Sequence, residues 1–127
     1  MVKTCLYIKY TGNKGRGVFT TERLNAGIVV EDSPVIVMTN KDRELLDKTL
    51  LHDYIFEWGE KKESCCMALG YISIYNHSDD SNCEYFMDFE NETIQIKASK
   101  IISAGEELTI NYHGDGGVSG GLWFAVE

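Results

Sequence analysis

Glycine and asparagine punctuate this chain along most of its length. The segments left over are short and apolar, and most alternate, as strands with one buried face do. Leu6, Ile8 and Tyr10 alternate with polar neighbours, and Gly12-Asn13-Lys14-Gly15-Arg16-Gly17 turns the chain into a strand at Val18-Phe19. Asn25-Ala26-Gly27 leads into Ile28-Val29-Val30-Glu31, and Pro34 precedes Val35-Ile36-Val37-Met38. Asp53 to Trp58 reads as an aromatic-rich strand. Glu84 to Phe89 and Thr93 to Ala98 read as a hairpin about Glu90-Asn91-Glu92, and Leu108 to Tyr112 as a last strand. Two short helices are expected. The first spans Lys41 to Leu50, with a capping box in Thr39 and Asp42 and with Leu45, Leu46 and Leu50 near one face. The second spans Ser64 to Leu69. The pattern predicts a mostly β fold with one or two short helices, as one domain over residues 1–127.

The hydrophobic share of 43% is that of a globular chain, and a domain of this size holds a core without staples. Twelve Lys and Arg against 20 Asp and Glu leave a net charge of −8. That balance opposes a nucleic-acid surface, which needs clustered bases, and suits a basic partner. Cys5, Cys65, Cys66 and Cys83 contain no Cys-x-x-Cys pair, so free thiols in a reducing compartment are expected rather than zinc or disulfides. Met1-Val2-Lys3 leads straight into an alternating segment with no apolar signal core, and no apolar run reaches membrane-spanning length. An intracellular protein, off the membrane, is the expectation. Asn76-His77-Ser78 and Asn91-Glu92-Thr93 have the spacing of glycosylation acceptors, and without a secretory signal they read as coincidence.

Three segments carry chemistry together. They are Lys14-Gly15-Arg16-Gly17-Val18-Phe19, then Gly70-Tyr71-Ile72-Ser73-Ile74-Tyr75-Asn76-His77-Ser78 running on to Asn82, then Gly105-Glu106-Glu107-Leu108-Thr109-Ile110-Asn111-Tyr112. Alone, each is ordinary: Gly-x-Gly is most often a turn, an Asn can satisfy backbone groups in a corner, and Gly-Glu-Glu-Leu commonly opens a strand. A metal corner from His77, Asp79 and Asp80 lacks the oxygen ligands and glycine of a calcium loop and has no second His or Cys pair for zinc. In this order and spacing, the three segments resemble the SET-domain protein lysine methyltransferases, over about residues 5–115. The short stand-alone viral and bacterial members are the most similar.

The resemblance implies a fold of several short curved sheets with a knot-like C-terminal threading, which would bring Asn76 beside Tyr112. It implies methyl transfer from S-adenosylmethionine to the ε-amine of a lysine on a histone tail or another basic protein, leaving S-adenosylhomocysteine, with no metal. Backbone groups of Lys14, Gly15, Arg16 and Gly17 would cradle the cofactor. Asn76 would contact it by its amide and His77 by its backbone, the His77 ring serving the fold. Tyr112 matches the catalytic tyrosine, which also touches the cofactor, and Tyr54 a second active-site tyrosine. Tyr54, Ile110, Tyr112 and Trp123 would line the lysine channel, with Trp123 or Phe124 from the glycine-rich tail 114–127 docking over it. Departures are Ser73-Ile74-Tyr75 where relatives carry Arg-Phe-Ile, Ser81 in place of a proline, and Ile110 where an aromatic is common. A homodimer, and a cytoplasmic or nuclear setting, are compatible with this reading. The alternative is an inactive SET-like module that only binds peptides.

Overall fold

The computed structural model describes residues 1–111, and among them are nine strands, one α-helix and two short 3-10 turns. The strands are β1 (Leu6–Tyr10), β2 (Arg16–Thr20), β3 (Val29–Met38), β4 (Ile55–Trp58), β5 (Ser64–Ala68), β6 (Asn76–His77), β7 (Cys83–Asp88), β8 (Thr93–Ala98) and β9 (Glu107–Ile110). They form a four-stranded sheet in the order β1-β2-β9-β6 and a five-stranded sheet in the order β4-β5-β3-β8-β7. This is the mostly β architecture that the alternation implied. The expected knot-like threading falls partly on residues 112–127, outside the described residues.

Strand β3 changes partners along its length. Val29 to Pro34 pair with β8 across a bulge between Val29 and Glu31, and Val35 to Met38 pair with β5. Pro34 has no N–H to give to a ladder, and it stands at this hand-over. The core lies between the sheets. Val18, Val30, Ile72, Ile94, Ile96, Ile102, Leu108 and Ile110 are fully excluded from solvent, and Phe56 meets Tyr85 edge to face at 6.3 Å. The β7–β8 hairpin turns on Asp88, whose carboxylate accepts from the backbone N–H of Glu90 and Asn91 and from the Asn91 amide. Those bonds hold the Asp88 carboxyl below the ordinary range.

Two helix expectations are corrected. Ser64 to Leu69 is not a helix: Ser64–Ala68 is strand β5, hydrogen-bonded to β4 on one edge and β3 on the other. A short apolar run such as Cys65-Cys66-Met67-Ala68 has no period long enough to separate the two states, and pairing on both edges decides it. The first helix, α1, spans Asn40–Leu46 rather than reaching Leu50. Its capping box is present in both directions between Thr39 and Asp42. It ends because Lys48 and Thr49 take 3-10-type bonds to Leu45 and Leu46, after which Thr49 caps a 3-10 turn at Leu50–Tyr54. Leu45 and Leu50, expected near one face, are 62% and 77% exposed, and α1 buries no residue. The strand expected from Asp53 begins at Ile55, since the same turn occupies Asp53 and Tyr54.

All four cysteines are buried and none is disulfide-bonded. Burial pushes the thiols of Cys66 and Cys83 up to about 12. Thiolate is the reactive form, so native protein at pH 8 should give almost no fast reaction with a colorimetric disulfide reagent. Four thiols should appear once guanidinium unfolds the chain; a rapid native phase would show a thiol open to solvent.

Candidate functional site

Strand β9 brings the motif segments together. It pairs antiparallel with β2, setting Val18 opposite Leu108 and Phe19 opposite Glu107. On its other edge it pairs parallel with β6, setting Asn76 opposite Thr109 and His77 opposite Ile110, and Ser78 N–H donates to the Ile110 carbonyl. The glycine turn and the Asn-His corner, 60 positions apart, therefore flank one short strand.

The corner itself is a set of hydrogen bonds. Asn76 Nδ2 donates to the Arg16 carbonyl at 3.1 Å and to Glu107 Oε2 at 2.8 Å. Both amide hydrogens are thereby directed, which fixes the plane of the group and turns Oδ1 the other way. Gly17 makes the approach feasible. A Cβ there would stand 2.3 Å from Glu107 Oε2 and 2.9 Å from Asn76 Nδ2, closer than real Cβ atoms come.

The remaining sequence candidates are placed as follows. Lys14 and Gly15 shape the turn: Thr11 N–H donates to the Gly15 carbonyl at 2.8 Å, and Lys14 N–H donates to Thr11 Oγ1 at 2.9 Å. Arg16 and Gly17, rather than Lys14 and Gly15, meet Asn76. The His77 ring is bonded through Nε2 to Asp79 at 2.9 Å. Ile110 is fully buried in the core cluster. Tyr54 ends a 3-10 turn with its side exposed, and its carbonyl accepts from Ser73 Oγ at 2.9 Å, three residues before Asn76. Tyr112, Trp123 and Phe124 lie outside the described residues. Among the described residues, no three His, Cys, Asp or Glu side chains group as a metal centre would need.

Two residues inside the motif segments, Glu107 and Asn82, carry roles that the sequence does not assign. Glu107 is the anionic partner of Asn76. Asn82 fastens the loop after β6 to β9: its Oδ1 accepts from Thr109 N–H at 2.9 Å and its Nδ2 donates to the Glu107 carbonyl at 2.9 Å. The only signal was their place inside the motifs, since a polar side chain's distant partner has no mark in the local pattern.

With this geometry in hand, the comparisons with known proteins agree with one another. The SET domain family matches residues 15–113. A Schizosaccharomyces pombe protein, the histone-lysine N-methyltransferase specific for H3 lysine-37, is 34% identical over 128 residues, covering 100% of this chain and 82% of the relative. Among solved structures, a Plasmodium falciparum protein described as a candidate histone methyltransferase superposes with a TM-score of 0.67 at 26% identity, over 87% of this chain and 95% of that one. The Chaetomium thermophilum Polycomb Repressive Complex 2, in an autoinhibited conformation bound to S-adenosylmethionine, gives 0.74 at 21% identity, over 91% of this chain and 16% of that chain. The Neurospora SET domain protein DIM-5, a histone lysine methyltransferase, gives 0.68 at 21% identity, over 87% and 53%. The last two likenesses speak to the fold.

Gly17→Ala tests the corner. The added methyl should displace the Glu107 carboxylate and cost about 1–3 kcal/mol in urea unfolding. Adding Glu107→Ala opens the space, so the double variant should lose less than the sum of the two single losses.

Proposed function

The chain belongs to the SET-domain family, and from that premise we propose that it is an S-adenosylmethionine-dependent protein-lysine methyltransferase, carried by one domain over about residues 5–115. The observation that supports this most directly is the meeting of Arg16 and Gly17 of β2 with Asn76 of β6, the two strands that flank β9, with the amide oriented by two hydrogen bonds. The residues present fit the cofactor. The turn at Gly15-Arg16-Gly17 offers backbone without side-chain bulk at Gly17, and Asn76, with both amide hydrogens taken, offers its oriented Oδ1 as an acceptor. Backbone groups of residues 14–17, the Asn76 side chain and the His77 backbone would hold it. When bound, S-adenosylmethionine supplies a methyl group on a sulfonium, which is already a good leaving group.

The chain's own residues must present a neutral amine in line with that methyl. A lysine in water titrates near 10.4, so deprotonating it at pH 7 costs about 4–5 kcal/mol. A narrow channel with apolar and aromatic walls disfavours the ammonium and lowers this cost. Tyr54, Ile110, Tyr112 and Trp123 are proposed for those walls. Tyr112 is assigned to positioning and electrostatic stabilisation of the transferred methyl. The acceptor is proposed to be a lysine on a basic protein, which the net charge of −8 would attract. The relative specific for H3 lysine-37 makes histone H3 the first substrate to try, and a nuclear setting follows from that choice.

Purified protein should carry label from methyl-labelled S-adenosylmethionine onto a lysine of histone H3 or of another basic protein in a panel. Tyr112→Phe should lower kcat by about two orders of magnitude while leaving the melting temperature near wild type, as loss of one oriented hydrogen-bonding group does. Absence of cofactor binding in calorimetry would end the proposal. Binding without transfer to any acceptor would leave the inactive peptide-binding module in its place.

A further inference from the structure

Glu31 is a carboxylate near the start of the core strand β3, beside the bulge, with no solvent exposure. An ionisable group at such depth persists only when its acceptor sites are filled. Three donors reach it. Tyr75 Oη donates to Oε1 at 3.0 Å, while Ser33 Oγ and the Tyr71 backbone N–H donate to Oε2 at 2.7 and 2.8 Å. Burial pushes its carboxyl upward, and these bonds, together with the N-terminal amine, oppose the shift. Gly70 has φ +65°, and a Cβ there would stand 2.2 Å from Glu31 Oε2. The chain thus turns tightly against the carboxylate and then runs through the 3-10 turn Ile72–Ile74 into Asn76.

Two of the three donors bracket that turn. Tyr71 opens it and Tyr75, itself buried, closes it one residue before Asn76. We infer that Glu31 is a positioning residue for the cofactor corner, its carboxylate fixing both ends of the turn that delivers Asn76 to Arg16 and Glu107. The inference rests on the proposed cofactor role of Asn76. Glu31 acts at a distance, through Tyr75 and Tyr71, and touches no reacting atom. Ser33 is satisfied by the same carboxylate but belongs to β3, so its bond does not report on the corner.

The test is calorimetric titration of S-adenosylmethionine into wild type, Tyr75→Phe, Glu31→Gln, the double variant and Ile94→Ala, with melting temperatures and the KM for the acceptor measured on each. Tyr75→Phe removes one hydroxyl and no core volume. It should weaken cofactor binding by about five- to tenfold, as loss of one hydrogen bond does, and leave the acceptor KM unchanged. Glu31→Gln should do at least as much, and the double variant no more than Glu31→Gln alone, because both act on one contact. Ile94→Ala lowers stability in β8 and should bind the cofactor like wild type. Should Glu31→Gln not fold, Tyr75→Phe decides alone. Wild-type affinity in Tyr75→Phe, or an equal loss in Ile94→Ala, overturns the positioning role. A wild-type protein that binds no S-adenosylmethionine overturns the functional proposal, and the inference with it.

Discussion

Both edges of a four-residue strand are occupied in this protein. Strand β9 holds β2 antiparallel on one side and β6 parallel on the other. Closing the long loops that bring those strands together is unfavourable, though the cost grows only with the logarithm of loop length. Apolar burial offsets it: Leu108 and Ile110 on β9 and Val18 on β2 lose all contact with water, each contributing about 1.5–3 kcal/mol. Without β9 the glycine turn and the Asn76 corner would have nothing in common, and no site would exist.

Apolar contacts bring the segments near one another but do not orient side chains. Orientation comes from polar groups that must be satisfied once they leave water. Asn82 takes the Thr109 N–H and the Glu107 carbonyl, which locks the loop after β6 to the strand beside it. Asn76 takes the Arg16 carbonyl and the Glu107 carboxylate. Glu31 gathers Ser33, Tyr71 and Tyr75 from behind. Fully satisfied networks of this kind restrict the geometries a corner can adopt. The fold around the site is thus held by burial, and the site's directions are held by amides and carboxylates.

What the chain reveals before folding follows the same division. Strand β8 was readable because Ile94, Ile96 and Ala98 alternate with polar neighbours, and they are the buried residues. The capping box was readable because Thr39 and Asp42 are three residues apart. Ser64–Ala68 reads as a helix from sequence because a short apolar run has no period of its own, and the spacing of Leu45, Leu46 and Leu50 does not say that a surface exists to cover them. Contacts between distant residues were not readable from pattern at all. Glu31 and Tyr75 are 44 positions apart, and nothing local to either marks them as partners. Asn76 was found through a resemblance that joined three weak motifs, whereas its partner Glu107 lay inside one of them unrecognised, because an acidic residue opening a strand is usually solvated.

The corner also explains why this position needs an asparagine. Both groups that Nδ2 faces are acceptors: a backbone carbonyl at Arg16 and a carboxylate at Glu107. An aspartate would put oxygen against oxygen at both contacts and a second negative charge beside Glu107, exchanging two attractions for two repulsions. An apolar residue of similar size would remove both donors and leave a carbonyl and a carboxylate short of partners in a partly buried place. A glutamine carries the same amide on a longer stem, which would shift its N–H groups from the places where the Arg16 carbonyl and the Glu107 carboxylate accept them. Size, donor chemistry and neutrality each exclude a different substitute, and the asparagine side chain meets all three conditions while leaving Oδ1 turned away from the two acceptors that hold it.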